Sequence, residues 1–299
     1  MRGTRSRLLT QRALGDSRTL LLTGDHGYAL FDEFRRHCPA QFINCGVAEQ
    51  NMVGVAAGLA KAGFQPIVYG LAAFVPIRVL EQIKIDVCLE DLPVMFLGDG
   101  AGFVYSTLGS SHQCFEDVAA LRALPNIALY SPADGAELEW CFAQASASRS
   151  ASYLRLGKAD LGNVHGGGFS PAADDAFNTV LARGGETVCL ATGSMVKPAK
   201  EVIEANDLLC DLISVFRLKA LSPDALLSAC RGYRRIVTIE EHAVQGGLGS
   251  IVAEAVAGKL IAEIRRIAIE DRFSGECGSY AHLLKYHGLD QPALLAALR

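Results

Sequence analysis

Short apolar runs that end in glycine-rich turns recur along this chain and alternate with longer helical patterns. The runs at residues 19–23 and 94–97 are followed by Gly-containing turns at 24–27 and 98–102. An unbroken apolar run bounded by turn signals is typical of a strand that is buried on both faces. Strands that alternate with helices form a mostly parallel sheet covered by helices on both sides. We therefore predict an α/β fold.

A change in composition divides the pattern into two halves. Residues 161–178 contain the triplet Gly166-Gly167-Gly168 and Pro171, and they show little periodicity, which is typical of a linker. We predict two three-layer α/β/α domains with mostly parallel sheets, at residues 1–160 and 179–299. The predicted strands are 19–23, 42–44, 65–69, 94–97, 127–130, 153–156, 187–192, 211–215, 235–240 and 265–269. The predicted helices are 1–16, 30–37, the segment opened by Glu49, 74–90, 116–124, 134–148, 196–208, 222–230, 247–262 and 279–287.

Composition excludes several classes of function. The net charge of −4 gives no basic field for nucleic acid, and no apolar run reaches the roughly 18 residues of a membrane span. Nine cysteines occur singly, without a CxxC pair, which indicates a reducing, cytoplasmic location with mostly buried thiols. The arginine-rich start, residues 2–12, could be a transit peptide, but an amphipathic helix fits it better.

A single carboxylate lies among small and apolar residues in Phe42–Met52. Glu49 opens a predicted helix, where the helix dipole stabilises an acid by about 0.3–1 kcal/mol. Alternatively, Glu49 is buried so that it holds or shares a proton, because burial disfavours the charged form. Gly54 and Gly58 lie four residues apart on one face of this helix, which permits close approach of another element.

Other candidates each have a structural and a functional explanation. His112 lies in a small-residue loop at the ligand-binding edge of the predicted sheet, where a functional role is favoured over a structural one. Phe74 is either a core residue or a platform for a ligand ring. Arg155 either pairs with an anion or lies on the surface. Residues 240–242, Glu-Glu-His, lack metal-ligand spacing, and we interpret them as a strand end before a tight helix entry.

Several of these residues belong to a longer pattern. The segment Gly46–Met52 is followed by Tyr69, Phe74, Arg78 and Gln82, and then by residues 109–126, which include Ser111-His112-Gln113. This pattern resembles the pyrimidine-binding domain of transketolases and 1-deoxyxylulose-5-phosphate synthases. Residues 191–194 and 238–250 are similar to the C-terminal domain of the same proteins. The resemblance covers nearly the whole chain.

The resemblance implies thiamine diphosphate as the cofactor and assigns roles to six residues. Glu49 would hydrogen-bond N1′ of the aminopyrimidine ring, and Phe74 would stack on that ring. His112 would lie near the reacting carbonyl as a donor or proton shuttle. The carbanion chemistry belongs to the cofactor, whereas the protein supplies orientation and electrostatics. Three further roles follow: cofactor contacts by Asp25 and His26, and binding of a sugar phosphate by Arg155.

The resemblance also implies a partner, because it does not extend to the family's diphosphate-binding domain. A separate N-terminal transketolase subunit would then supply the diphosphate contacts and the Mg²⁺ ligands, so we expect no metal site in this chain. The helix that carries Gly54 and Gly58 would be an interface. Self-association through the pyrimidine domain would give a heterotetramer.

One motif is similar to the diphosphate-binding signature of thiamine enzymes. Gly98-Asp99-Gly100 precedes Asn126 at the spacing by which thiamine enzymes hold diphosphate and magnesium. Open parallel sheets bind ligands at the carboxyl ends of their strands, whereas Asn126 precedes its predicted strand. We therefore interpret the motif as a glycine-rich loop.

The sequence departs from the family pattern at one position of the aromatic clamp and at several substrate-binding positions. Leu71 stands where many relatives have a phenylalanine, and Leu108 stands where they have an aspartate that contacts a substrate hydroxyl. Ser110 replaces a proline, and Ala29 falls where transketolases have a phosphate-binding serine. Loss of polar partners selects against substrates that need them. We expect ketol transfer between sugars or sugar phosphates, with a donor or acceptor outside the pentose-phosphate pair.

Two alternatives to a transketolase subunit remain. One is the β subunit of a 2-oxoacid dehydrogenase or a carboligase similar to deoxyxylulose-phosphate synthase. The other is a non-enzymatic assembly subunit, against which the intact residues Glu49, Phe74, His112 and Arg155 speak.

Overall fold

Two sheets form the framework of the chain in a computed structural model that describes residues 1–166, 169, 171 and 176–299. The remaining residues of the predicted linker at 161–178 lie outside this description. The strands are β1 (Thr19–Thr23), β2 (Phe42–Asn44), β3 (Gln65–Leu71), β4 (Met95–Asp99), β5 (Ile127–Tyr130), β6 (Ala151–Leu156), β7 (Phe177–Leu181), β8 (Thr187–Ala191), β9 (Cys210–Val215), β10 (Arg217–Lys219), β11 (Arg235–Ala243) and β12 (Glu263–Ile269).

The helices lie between these strands, as the alternating pattern predicts. They are α1 (Arg2–Gly15), α2 (Asp32–His37), α3 (Glu49–Lys61), α4 (Leu80–Gln82), α5 (Asp117–Arg122), α6 (Gly135–Ala147), α7 (Val196–Ala205), α8 (Pro223–Cys230), α9 (Leu248–Val256), α10 (Tyr280–Tyr286) and α11 (Gln291–Leu298). Several begin at a side chain that accepts backbone N–H groups, such as Asp134 before α6 and Ser222 before α8.

The first sheet has the strand order β10-β5-β6-β4-β3-β1-β2, and the second has the order β12-β11-β8-β9-β7. Both sheets are parallel except for one antiparallel edge strand each, β10 in the first and β7 in the second. The register places Thr23 opposite Tyr69 and Leu71 opposite Asp99, so neighbouring strands end at a common edge. The predicted fold class is confirmed.

Helices cover both faces of the first sheet. Met52 and Val53 of α3 pack with Ile83 on one face, and Leu9 of α1 packs with Leu138 of α6 on the other. The first of these clusters continues into the second sheet, where it includes residues of β8, β9 and β11. The two halves therefore share one continuous apolar core. Their division at residues 161–178 stays a prediction, since β10 from the second half is hydrogen-bonded to β5 of the first.

The predicted helix at 74–90 is interrupted. A 3₁₀ turn at Ile77–Val79, the short α4 and a π-helical turn at Ile83–Cys88 replace a single α-helix. Pro76 has no backbone N–H, which explains why the helical hydrogen bonds start only after it. The apolar face was predicted correctly, because Val75, Val79, Ile83 and Val87 are all buried.

Three elements were missed, and one helix ends early. Strands β7 and β10 are short antiparallel edge strands, and a strand of three residues carries almost no periodic signal. The sequence signal for α11 was an Asp290 cap with a proline in the first turn. The helix predicted at 247–262 stops at Val256, shortly before Gly258, which has a φ of +69°.

Most of the cysteine side chains are buried, as the composition predicts. All nine cysteines are free thiols; seven are buried, Cys45 is partly buried and Cys277 is exposed. Across the described parts of the chain, none of the helices combines the length and the apolar character that a bilayer crossing needs.

Candidate functional site

Five of the six residues predicted to be functional meet at the carboxyl edge of the first sheet. Asp25 and His26 follow β1, Glu49 begins the helix after β2, and Phe74 follows β3. His112 lies in the loop after β4. Parallel strands end at the same edge, so residues far apart in the sequence converge there.

Asn44 at the end of β2 connects two of these loops. Its side-chain oxygen accepts the backbone N–H groups of Asp25 and Gly46, at 3.1 Å and 3.0 Å. Its amide nitrogen donates to Asp25 Oδ1 at 3.0 Å. Asp25 has a φ of +62°, a conformation that asparagine and aspartate tolerate better than most residues. The loop after β1 is thereby held against the entry to α3.

Glu49 is buried at the start of α3, with only 3% of its surface exposed. One carboxylate oxygen, Oε2, accepts a bond from Arg78 Nη1 at 3.1 Å. The other oxygen, Oε1, is buried and has no hydrogen-bond partner among the described residues. A buried acceptor without a partner carries a desolvation cost of about 1–3 kcal/mol, so this atom is available to a donor that enters the site.

Three aromatic rings stand in a row beside this carboxylate. Phe74 lies between His26 and His112, with ring centroids 6.0 Å and 5.3 Å away. The guanidinium of Arg78 lies 4.0 Å from the Phe74 centroid, so it contacts both the aromatic ring and Glu49. In the sequence, Arg78 was only a position in the family pattern, without a role. Its contact with Glu49 joins residues 29 positions apart, which no local pattern predicts.

Gly24 brings His26 and Glu49 close to each other. A Cβ atom at Gly24 would lie 3.6 Å from both Glu49 Cγ and His26 Nδ1, and 3.3 Å from the Gly46 carbonyl oxygen. His26 Nδ1 is buried and, like Glu49 Oε1, makes no hydrogen bond to any residue that the structure describes. Two polar atoms without partners therefore flank one glycine at the sheet edge.

Arg155 lies apart from this group, and its predicted role in binding a substrate phosphate stays a prediction. It is 3% exposed, and its Nε donates to both oxygens of Asp117, at 3.1 Å and 2.9 Å. Its Nη2 donates to the carbonyl oxygens of Cys114 and Glu241, at 3.4 Å and 2.8 Å. Burial alone would lower the pKa of Arg155, but the Asp117 carboxylate raises it, so the side chain stays charged. Its donors are directed at protein acceptors between the two halves of the chain.

The Glu-Glu-His run at 240–242 lies within β11 and next to Arg155. Glu240 accepts the N–H groups of Leu248 and Gly249 at the start of α9, as the predicted tight helix entry requires. Burial raises the pKa of Glu240 to about 7, although those two hydrogen bonds oppose the shift. Burial lowers the pKa of His242 to about 4, so this imidazole is neutral near pH 7.

The Gly98-Asp99-Gly100 motif is explained by contacts within the chain. Asp99 forms an ion pair with Arg5 and accepts a bond from the Tyr69 hydroxyl at 2.6 Å. Asn126 lies at the amino end of β5, as the sequence predicts, and donates to the Cys88 carbonyl oxygen at 3.1 Å. Within the described residues, no group of three or more His, Cys, Asp or Glu side chains could hold a metal ion.

A cavity of about 440 Å³ opens beside Asp99 and reaches the loop that carries His26. Its lining includes Arg2, Arg5, Tyr28, Tyr105 and Lys158. No sequence pattern singles out this group, because the N-terminal arginines indicate only a possible targeting segment or a helix face. Helix α1 instead buries Arg5 and places it at the sheet edge.

Comparisons with known proteins identify the class to which this site belongs. The family profile "Transketolase, pyrimidine binding domain" matches residues 6–163, and "Transketolase, C-terminal domain" matches residues 178–294. The chain therefore belongs to the transketolase family, and the prediction of a transketolase-type transferase subunit is confirmed. The family carries out thiamine-diphosphate-dependent ketol transfer.

Two individual relatives show which kinds of transketolase-family protein this chain is similar to. The 6-deoxy-6-sulfo-D-fructose transketolase subunit SqwH of a Clostridium species is 31% identical, over 99% of this chain and 92% of the relative. The 1-deoxy-D-xylulose-5-phosphate synthase of a Cyanothece species is 34% identical over 88% of this chain, which corresponds to only 42% of that longer protein.

Solved structures agree with the sequence matches. A structure described as "Split gene transketolase, inactive beta4 tetramer" superposes with a TM-score of 0.87 at 28% identity, and the match covers 99% of this chain and 96% of that one. A transketolase from Campylobacter jejuni has the same fold, with a TM-score of 0.78 at 17% identity, but this chain spans 45% of it. This chain thus matches a split subunit over nearly its full length.

Proposed function

We propose that this chain is the pyrimidine-binding and C-terminal subunit of a split transketolase that transfers a two-carbon ketol unit between sugars or sugar phosphates. The observation that carries the proposal is the buried Glu49 carboxylate, whose Oε1 has no partner within the described residues, beside the row His26, Phe74 and His112. A site of this kind offers one acceptor, one aromatic surface and two imidazoles to a ligand.

These residues fit thiamine diphosphate. Glu49 Oε1 would share a proton with a ring nitrogen of the cofactor, and Phe74 supplies a surface for a flat heterocycle. His26 Nδ1 offers a second polar atom without a partner, and Asp25 orders the same loop through Asn44. When bound, thiamine diphosphate supplies the nucleophilic carbon and the electron sink that ketol transfer requires. Few water molecules screen the buried Glu49, so its interaction with a ligand is strong.

His112 has a different role in the proposal. It is partly exposed at the open end of the aromatic row, and its Nδ1 lies 3.0 Å from the Ser111 hydroxyl. That contact leaves Nε2 free to donate to, or accept from, an oxygen of the substrate. We assign His112 to the substrate carbonyl or hydroxyl and Glu49 to the cofactor.

The proposal requires a partner subunit that holds the diphosphate and Mg²⁺. We further infer self-association through the outer face of α3, which gives a heterotetramer. Gly54 and Gly58 on this face are exposed, and a Cβ atom at either would meet nothing within 4 Å. Val47 is 75% exposed and Val55 37% exposed nearby, so the face is also apolar. The β4 assembly named for the split-gene relative supports association between copies.

The substrate is expected to differ from the usual pentose phosphates. Leu108 is 54% exposed in the loop that carries His112, and it cannot hydrogen-bond a hydroxyl group. Arg155 is buried, so it gives no phosphate contact. We place the polar chain of the substrate in the 440 Å³ cavity, since Gly27 and Tyr28 of its lining belong to the loop of His26.

A carboligase similar to deoxyxylulose-phosphate synthase is the second candidate. The 34% identity to such a synthase favours it. Consumption of pyruvate by the reconstituted complex would support this candidate, whereas cleavage of a ketose without pyruvate supports ketol transfer.

The test combines this chain with a diphosphate-binding subunit, thiamine diphosphate, Mg²⁺ and a series of ketose donors. Calorimetry measures cofactor binding separately from turnover. We expect Glu49→Gln to abolish ketose cleavage and weaken cofactor binding, whereas Glu240→Gln changes a glutamate of equal burial in the C-terminal half and should retain both. Undiminished turnover in Glu49→Gln, or no cofactor binding by the wild-type complex, would refute the proposal.

A further inference from the structure

The loop that carries His112 is attached to the C-terminal half of the chain. This loop, residues 100–116, connects β4 to α5. Near its start, the backbone N–H of Phe103 donates to the Glu241 carboxylate, which also accepts a bond from the Tyr280 hydroxyl at 2.6 Å. Near its end, the Cys114 carbonyl oxygen accepts a bond from Arg155, which also binds the Glu241 carbonyl oxygen. Both ends of the loop are therefore held by β11.

The central part of the loop is held by one residue, Ser274. The Ser110 hydroxyl donates to the Ser274 carbonyl oxygen at 3.1 Å. The Ser274 hydroxyl donates to Gln113 Oε1 at 2.6 Å. Residues 110 and 113 flank Ser111 and His112, so Ser274 fixes the backbone on both sides of the histidine.

The Ser274 hydroxyl is itself oriented by His287. The two groups are 2.9 Å apart, from Oγ to Nε2. A hydroxyl has one proton, and this one is donated to Gln113, so His287 must carry its proton on Nε2 and donate it. His287 is 5% exposed and stacks on Phe103 at a centroid distance of 4.9 Å. Burial lowers the pKa of His287, in agreement with a neutral ring.

Backbone packing keeps the same two segments in contact. Gly109 has a φ of +76°, and a Cβ atom there would lie 3.1 Å from Cys277 Sγ. The Gly278 N–H approaches the Ser106 carbonyl oxygen at 3.4 Å. Residues 274–278 therefore contact the loop at several points, and the Ser274 hydroxyl supplies a hydrogen bond of defined direction among these contacts.

We propose that Ser274 is a positioning residue that sets the direction of His112 in the active site through Ser110 and Gln113. This inference rests on the proposed role of His112 in contacting the substrate. The His112 ring is partly exposed, so its direction depends strongly on the backbone of residues 110–113. Ser274 is not a catalytic residue, because it acts only through the loop.

A structural role and a positioning role for Ser274 predict effects of different size on the rate. A purely structural role predicts only a fall in stability, because the variant loses the hydroxyl's bonds to Gln113 and His287. Displacement of a reacting group by about 1 Å can lower the rate about 100-fold. A positioning role therefore predicts a kinetic defect out of proportion to the change in stability.

The experiment compares Ser274→Ala, Ser274→Thr and Gln113→Met in the reconstituted complex with Ser222→Ala as the control. Ser222 caps α8 within the C-terminal half, so its loss lowers stability without touching the loop. We expect Ser274→Ala and Gln113→Met to lower kcat about 10- to 100-fold, with cofactor affinity unchanged. The threonine variant keeps the hydroxyl and should restore most of the rate. The double variant Ser274→Ala/Gln113→Met should be no slower than the slower single variant, since each single variant already removes the bond between Ser274 and Gln113.

Amide hydrogen exchange on the full chain gives a readout that does not depend on turnover. Residues 103–114 should exchange faster in Ser274→Ala and at the wild-type rate in Ser222→Ala, with α3 unaffected. The inference would be overturned if Ser274→Ala had the same kcat and the same exchange rates as the wild type. It would also be overturned if the defects in Ser274→Ala were no larger than those in Ser222→Ala. Wild-type turnover in His112→Ala would instead overturn the proposed role of His112, so the two failures are distinguishable.

Discussion

Replacement of Arg155 by methionine tests whether this arginine supports the fold or binds substrate. Methionine keeps much of the aliphatic stem and removes the guanidinium. The Asp117 carboxylate, which is completely buried, then loses its ion pair and keeps the Tyr153 hydroxyl as a donor at 2.7 Å. The carbonyl oxygens of Cys114 and Glu241 lose the donor that they share. The variant therefore leaves one buried charge poorly satisfied, whereas the Cys114 carbonyl oxygen keeps its bond from the Gly102 N–H at 2.8 Å.

Removal of one partner from a buried ion pair costs about 3–5 kcal/mol. For a chain of this size, each kcal/mol lowers the melting temperature by about 2–4 °C, so we expect a fall of about 10 °C in Arg155→Met. Arg122→Met is the matched control, because Arg122 pairs with Glu254, which is 62% exposed. An ion pair of that kind contributes at most about 1 kcal/mol.

Thermal unfolding followed by circular dichroism measures both variants. The double variant Arg155→Met/Asp117→Asn should recover part of the loss, because it removes the buried charge as well as its partner. A melting temperature within about 2 °C of wild type, together with a raised KM for phosphorylated sugars alone, would refute the structural role and favour phosphate binding.

Three further predictions concern pH, the aromatic row and the α3 face. Because the pKa of Glu240 is about 7 when folded and its ordinary value is 4.5, wild-type stability should fall by up to about 3 kcal/mol as the pH rises through this interval. The melting temperature of Glu240→Gln relative to wild type should therefore increase from pH 5 to pH 7, and a constant difference would contradict the assignment. Arg78→Leu leaves the buried Glu49 carboxylate without its ion-pair partner, so we expect it to lower stability by more than the roughly 1 kcal/mol of an exposed pair. It should also weaken cofactor binding in calorimetry, because Glu49 and Phe74 lose a shared contact; unchanged binding would argue against a role for Arg78. Gly54→Gln should raise the melting temperature through a gain in helix propensity of about 1 kcal/mol. The same variant should reduce the size of the assembly measured by sedimentation, and an unchanged size would show that the outer face of α3 is not the interface.

The sequence by itself determined the fold class and the position of the candidate site. Apolar runs closed by glycine turns specify buried parallel strands, and the order of strands and helices then requires a shared carboxyl edge. Asp25, His26, Glu49, Phe74 and His112 each follow a strand, so their convergence follows from the topology. The place of each residue after a strand is a local signal that can be read from the sequence, whereas the functional roles of Asp25 and His26 are implied only by the family resemblance.

Only the tertiary structure decided which charged groups bind each other. Arg155 pairs with Asp117 across 38 positions, and Asp99 pairs with Arg5 across 94. No periodicity relates such residues, because their distance depends on how helices pack on the sheets. Ser274 and Gln113 are 161 residues apart and come together only when the two halves share one core. An arginine at a given sequence position can bind a substrate or support the fold, and the contacts that distinguish the two, such as the buried pair of Arg155 with Asp117, exist only in the tertiary structure.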